Sequence, residues 1–255
     1  MVVLMFIDTH AHVFKEYYEN IDDLILNAKN NNIKIIINAG CDRTSNEEVI
    51  NLSTKYDILY AAIGIHPESV LEYNNDDLNF IEKHIFDDKV IAIGEIGLDY
   101  SYSKDNKQKQ IDLFERQLFI AQKYNIPVVV HSREATEDTI NSLKKYKVRG
   151  VIHCFSGSLE TARIYSKMGF YLGINGVITF KNCNLKEVYK SIDINKILLE
   201  TDSPYLTPVP YRGKQNSPSH IIDIANFVKD IYGVSLDELS KITNENAYSL
   251  FDKLN

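Results

Sequence analysis

The 255-residue chain has no apolar run near the roughly 18 residues that a membrane-crossing helix requires, so we expect no membrane span. Its opening, MVVLMFIDTHAH, is apolar but lacks a basic leader and a small-residue cleavage site. It also runs straight into a polar motif, and therefore reads as a first strand and not as a secretion signal. Cysteine is scarce: Cys41, Cys154 and Cys183 share no close spacing, which argues for reduced thiols and a cytoplasmic protein. Positive charge is not in excess either. Lys and Arg number 28 against 35 Asp and Glu, a net charge of −7, so no global basic field draws the chain onto nucleic acid. No Pro/Gly/Ser-rich linker or compositional break divides the sequence, and residues 1–255 read as one domain of the usual size for an α/β barrel. A hydrophobic fraction of 44% with 25% charged residues suits an ordinary globular protein with a large core.

What is present is one repeated alternation. Strand-like runs rich in Val, Ile and Leu occur at 2–10, 33–40, 58–66, 89–97, 126–133, 150–157, 170–177 and 196–202. Their near-continuous apolar character suits parallel strands buried on both faces. Between them lie amphipathic stretches such as IDDLILNAKNN, NEEVINLSTKY, QKQIDLFERQLFIAQKYN and LETARIYSKMG. The third places Ile111, Phe114, Leu118 and Ala121 on one helical stripe, and Asn125-Ile126-Pro127 stops it. Eight such units at about 30-residue spacing predict an α/β fold of the (β/α)8 TIM-barrel type. The rival, a doubly wound open sheet, would not gather residues from five separate strands into one ring. After the eighth strand comes a turn-rich loop, SPYLTPVPYRGKQNSPS, holding four of the six prolines, followed by two helices.

Six residues suited to metal binding fall at the C-terminal ends of these runs: His10 and His12 in IDTHAH, Glu95, His131, His153 and Asp202. That is the catalytic face of such a barrel. Imidazole and carboxylate are ligands for Zn, Mn and similar ions, and carboxylates tilt the balance toward harder cations. A workable division gives His10, His12 and Asp202 to one ion, His131 and His153 to the other, and Glu95 to both. Two ions about 3.5–4 Å apart leave an open position for water and would clamp the attacking and leaving oxygens of an in-line displacement. Strand alternation puts Asp8, His10 and His12 on one face, likewise His131 with Arg133 and Glu200 with Asp202, and points Cys154 away toward the helices. His66, in GIHPE at the end of the third strand, is a candidate substrate contact. His84 reads as an ordinary helix residue and His220 as a helix-start residue. Arg133 and Arg212 have the fork geometry to grip phosphate, with a loop salt bridge as the competing role for Arg212.

IDTHAH, GIHP, GEIGLDY, the pattern Gln110, Phe114 and Gln117, IPVVVHSREA, HCFSG, LLETDSPYL, RGKQNSP and NENAYSLF together resemble the TatD family of metal-dependent deoxyribonucleases, within the amidohydrolase-like superfamily. The resemblance spans residues 7 to about 251, in order. It implies that His10, His12, Glu95, His131, His153 and Asp202 are the metal ligands, with Glu95 standing where many amidohydrolase-type barrels carry a carbamylated lysine. It also implies hydrolysis of DNA phosphodiesters, commonly from a free 3′ end, with Mg²⁺ or a similar ion. One departure is Glu68, where the family often has a second histidine.

The expected activity is that of a 3′–5′ exodeoxyribonuclease with two divalent cations per subunit, Mg²⁺ in function with Zn²⁺ or Mn²⁺ as alternatives. Glu95 and Asp202 would be the catalytic carboxylates, and His66, Arg133 and Arg212 the substrate contacts. The partner is a DNA end, with no membrane and no obligate protein partner. From the residues alone the reading stops at metal-dependent hydrolase. An amidase or lactonase, an aminoacyl-tRNA ester hydrolase and a non-catalytic binding protein on the same barrel remain open alternatives.

Overall fold

A computed structural model describes residues 4–101 and 105–254. Eight parallel strands lie side by side in sequence order: β1 (Phe6–Ala11), β2 (Ile33–Ala39), β3 (Leu59–Ile63), β4 (Val90–Asp99), β5 (Val128–Arg133), β6 (Gly150–Ile152), β7 (Tyr171–Ile174) and β8 (Ile197–Leu199). Between consecutive strands run α1 (Ile21–Asn30), α2 (Arg43–Lys55), α3 (Asn75–His84), α4 (Lys107–Tyr124), α5 (Thr136–Leu143), α6 (Leu159–Lys167) and α7 (Leu185–Lys190). After β8 come α8 (Ile221–Tyr232) and α9 (Leu236–Leu250). This is the expected barrel, with helices packed outside the sheet.

Local chemistry sets the helix limits. Asp42 and Asn74 open α2 and α3 through capping boxes with Ser45 and Asp77, which satisfy amide donors at each N-terminus. Asn125 closes α4 in the left-handed region at φ 52°, where asparagine is tolerated far better than a branched residue. The buried stripe of α4 carries Phe114, Leu118 and Ala121 as expected, but also two glutamines, Gln110 and Gln117. Gln117 pairs with both the N–H and the C=O of Ile65, at 2.8 and 3.0 Å. Gln110 does the same for Asp99, at 2.9 Å each. Seven residues apart on one helix face, the two amides hold the chain ends beyond β3 and within β4.

The last three strands are shorter than their apolar runs, with three, four and three residues. The backbone still pairs one residue further, His153 to Val130 and Glu200 to Ile174. Cys154 then turns away at φ 47° and Asp202 at φ 57°. The runs thus continue as the loops that carry the site. The first run also starts later than expected: β1 begins at Phe6, and residues 1–3 lie outside the described part.

The seam between β1 and β8 is closed largely by side chains. Asp8 accepts hydrogen bonds from the Thr201 amide at 2.9 Å and the Thr201 hydroxyl at 2.5 Å, while Thr9 donates to Leu199 C=O. Burial pushes the Asp8 carboxyl up to about 8, against those hydrogen bonds. Further along, the amides of Asp202 and His12 bond to His10 C=O and Ser203 C=O, so the seam itself fixes three of the candidate ligands.

The barrel interior is filled by Ile7, Ile35, Ile37, Ala62, Ile91, Val129, Val151 and Leu198, capped by Leu250, Phe251 and Leu254 from the C-terminal segment. Lys253 donates to the C=O groups of Ile85, Asp87 and Val90, which pins that segment beneath the start of β4. Each fully buried Ile or Leu contributes about 1.5–3 kcal/mol. Stability therefore resides in this lower plug and in the helix–sheet layer, and the upper rim is left free for polar groups.

Candidate metal centre

All six expected residues converge at the upper rim. His10 (1% exposed), His12, Glu95, His153 and Asp202 are buried, and His131 is half-buried. Glu95 stands between two donor sets. Its Oε2 lies 3.3 Å from His10 Nε2 and 3.6 Å from His12 Nε2, and both nitrogens lie within 3.6 Å of Asp202 Oδ1. Its Oε1 lies 2.8 Å from His131 Nδ1 and 3.2 Å from His153 Nε2. One carboxylate oxygen thus faces each set, while His153 also stacks on His10 with centroids 3.9 Å apart and its ligating atom lies within 4.8 Å of that of Asp202.

The donor chemistry suits cations. His10 and His12 face one another Nε2 to Nε2 at 3.1 Å, and both face the same two carboxylates. A hydrogen bond between two imidazoles uses one lone pair and one proton, whereas a divalent ion would take the lone pairs of both rings and both carboxylates together.

Charge coupling within the cluster is strong. Burial opposes ionisation of Glu95, but the surrounding His153 and His10 hold it well below the usual carboxylate range. Burial likewise works against cationic His153, yet Glu95 and Glu200 keep its imidazole well above the ordinary value. His12 is raised in the same way by Asp202, Cys41 and Glu95 against the effect of burial. For His10 burial wins, aided by His153, and its affinity for a proton falls.

Outside these ligating atoms stand partners that sequence reading did not single out. Asp99 Oδ2 lies 3.0 Å from His131 Nε2. Burial opposes its ionisation, but His131 and Ser101 bring the carboxyl down to about 2. Glu200, fully buried, accepts from Cys154 N–H at 2.6 Å and lies 3.2 Å from His153 Nδ1. Gly173 makes room for it, since a Cβ there would sit 2.3 Å from Glu200 Oε2. Ala39 C=O lies 3.1 Å from His12 Nδ1. Such outer contacts fix ring orientation and tautomer. The signal for Asp99 was its place on β4, four residues after Glu95 in GEIGLDY, and for Glu200 its place directly after the apolar run of β8.

Two expectations shift, and one competing role finds no support. Cys154 does not point to the helices: its Sγ lies within 4.8 Å of ligating atoms of His153 and Asp202. Strand alternation ends at Ile152, and the left-handed turn at Cys154 reverses its direction. Burial pushes this thiol up to about 12, so with no cation beside it the thiol stays protonated. Second, β3 ends at Ile63, and His66 does not end the strand but caps the short helical turn Pro67–Leu71. Its Nε2 lies 3.7 Å from Glu95 Oε1, and its ring is 4.6 Å from that of His131. Burial lowers it to about 3, so it is neutral. Nδ1 accepts from Glu68 N–H, which leaves the proton on Nε2, aimed into the site. Third, Arg212 makes no salt bridge among the described residues; its guanidinium stacks on the Phe180 ring at 3.7 Å. Arg133 is exposed at the end of β5 and also forms no ion pair among the described residues. As expected, His84 ends α3 against Asp87, and His220 sits at the start of α8 against Asp223.

Known proteins resemble this chain in sequence and share its fold. The sequence matches the family described as TatD related DNase over residues 7–252. The uncharacterized metal-dependent hydrolase YabD of Bacillus subtilis is 40% identical, over 97% of this chain and 99% of its own length. The crystal structure of YjjV, a TatD homolog from Escherichia coli K12, superposes with a TM-score of 0.92 at 28% identity, covering 97% of this chain and 98% of that one. A TatD-family hydrolase from Entamoeba histolytica superposes at 0.86 with 27% identity, covering 98% of this chain and 99% of that one. With the barrel, the convergent imidazoles and carboxylates and these matches in agreement, the chain belongs to the TatD family and is a metal-dependent hydrolase.

Proposed function

We propose that the protein hydrolyses DNA phosphodiester bonds from a free 3′ end, using two divalent cations, with Mg²⁺ the working ion. The observation that carries this reading is the position of Glu95, with one carboxylate oxygen toward His10, His12 and Asp202 and the other toward His131 and His153. His10, His12 and Asp202 would hold one ion, His131 and His153 the other, and Glu95 both. Bound there, two such ions supply Lewis acidity toward a phosphoryl oxygen and lower the pKa of water from 15.7 toward about 7.

The protein's own groups do the rest. The neutral His66 presents an Nε2–H donor beside Glu95, suited to a phosphate oxygen. Arg133, free of ion pairs among the described residues, supplies a bidentate donor at the rim. Arg212, held flat on Phe180, supplies a second from the loop after β8. Asp99 and Glu200 keep the rings of His131 and His153 in place while charge changes around them. The family's description as TatD related DNase supports DNA over a lactone or amide substrate.

Incubation of a 5′-labelled single-stranded oligonucleotide with Mg²⁺ tests the reading. A ladder shortening from the 3′ end, abolished by EDTA and restored by excess Mg²⁺, is the expected result. Intact oligonucleotide beside turnover of a lactone or an aminoacyl ester would overturn it.

A further inference from the structure

Beside the cluster the chain places an aromatic surface that the chemistry above does not use. Among the described residues nine large hydrophobic side chains are exposed, and three of them, Tyr205 (49%), Val209 and Tyr211, sit in the one loop after β8. Tyr205 adjoins the site directly: its ring centroid is 6.1 Å from that of His12, and its amide bonds to Asp202 C=O. The hydroxyl of Tyr205 donates to that of Tyr17 at 2.9 Å, and the two rings meet edge to face at 71° with centroids 5.8 Å apart. With that hydroxyl engaged, what Tyr205 offers to a ligand is its ring.

The support under this pair is stiff. Tyr18 donates to Asn216 C=O, and Gln215 donates to Tyr17 C=O, tying the loop after β1 to the loop after β8. Asn216 in turn donates to Thr201 C=O and Tyr205 C=O. The turn at Leu206 packs so closely on Gly176 that a Cβ there would sit 2.0 Å from Leu206 C=O. The same stretch, residues 203–220, carries Arg212 and Lys214 and no acidic residue, although the whole chain is net −7. An exposed, braced aromatic ring is the feature on which the bases of single-stranded nucleic acid stack without sequence preference.

We infer that Tyr205, braced by Tyr17, is the platform on which the base of the nucleotide being released stacks. The inference rests on the phosphodiesterase reading above and deepens it: the substrate is a nucleotide end whose base is unpaired and free to stack, not a bare phosphate ester. Every base has a π-face, so the platform imposes a need for a base without choosing which.

The test compares wild type, Tyr205→Ala and Tyr205→Phe on two Mg²⁺-supported substrates. One is an intact single-stranded decamer, the other the same decamer with a tetrahydrofuran abasic residue at the 3′ or 5′ terminus. Bound metal is measured in all three proteins. The wild type should prefer the intact substrate by roughly 10-fold in kcat/KM, chiefly through KM. That preference should collapse in Tyr205→Ala and persist in Tyr205→Phe, with metal content equal. Wild-type cleavage without any preference for the intact end, or a Tyr205→Ala defect of the same size on both substrates, overturns the stacking platform alone. Failure of the wild type to cleave either decamer overturns the phosphodiesterase reading, and the platform with it.

Discussion

His131 is held from both sides, with Glu95 Oε1 2.8 Å from its Nδ1 and Asp99 Oδ2 3.0 Å from its Nε2. Asp99 is itself clamped by Gln110 through its own backbone N–H and C=O. The ring therefore presents Nδ1 to the cluster with its orientation fixed from behind. Against the effect of burial, Asp99 and Glu95 together raise the His131 imidazole above its ordinary value.

Replacing Asp99 with Asn keeps the shape and removes the charge. Outer partners of metal-ligating histidines are worth about 10–100-fold in metal affinity or activity. Asp99→Asn should weaken the ion held by His131 and His153 by that order while leaving the ion at His10, His12 and Asp202 in place. Stepwise titration of metal-free protein, followed by calorimetry, should show one site weakened; equal weakening of both would place Asp99 in the general scaffold.

Glu95→Ala should abolish turnover and remove the shared ligand, with little cost to the fold. The barrel's stability lies in its lower plug and outer layer, away from Glu95. The melting temperature of the metal-free protein should therefore move by less than about 4 °C, equivalent to about 1 kcal/mol for a chain of this size. Near-normal activity with unchanged metal content in Glu95→Ala would contradict the site.

Arg133→Ala and Arg212→Ala should each lower phosphodiester cleavage by roughly 10- to 100-fold, the worth of one hydrogen bond to a charged group, without loss of bound metal. Arg212→Lys should recover little, because the compact ammonium cannot reproduce the flat stack on Phe180 at 3.7 Å. Elemental analysis beside kinetics decides the matter: parallel loss of metal and activity would make either arginine part of the ligand scaffold.

Two divalent ions would bring the formal charge only from −7 to −3 (−7 + 4), so long-range attraction to DNA stays absent. Affinity must come from a few local contacts: the ions, Arg133, Arg212, and His66 with Lys214. Each phosphate neutralised on a single strand adds about 0.7 to the salt slope. We expect a shallow dependence, equivalent to roughly two or three phosphates, and slow cutting of circular single-stranded DNA. Rapid cleavage of the closed circle, or a slope demanding about six phosphates, would favour an endonuclease with an extended groove.

The amino-acid sequence by itself determined the eight strands, their order and the six convergent residues. These are local signals: an apolar run buried on both faces, followed by a polar residue where the run meets the rim. The end of α4 was legible for the same reason, since Asn125 tolerates the left-handed backbone and Pro127 follows two residues on. The roles of Asp99, Glu200, Gln110 and Gln117 were not legible as supports. A carboxylate near a strand end, or a glutamine on a helix, looks alike whether it faces water or a buried partner. Only the tertiary structure decided that Gln117 meets Ile65, fifty-two residues away in sequence, or that Tyr205 meets Tyr17 across the closed seam. It also turned Cys154 toward the site, because alternation governs direction only while the strand lasts, and β6 ends at Ile152. The physical reason is common to all of these: period and composition are properties of neighbours along the chain, whereas hydrogen-bond partners are set by which ends the closed barrel brings together.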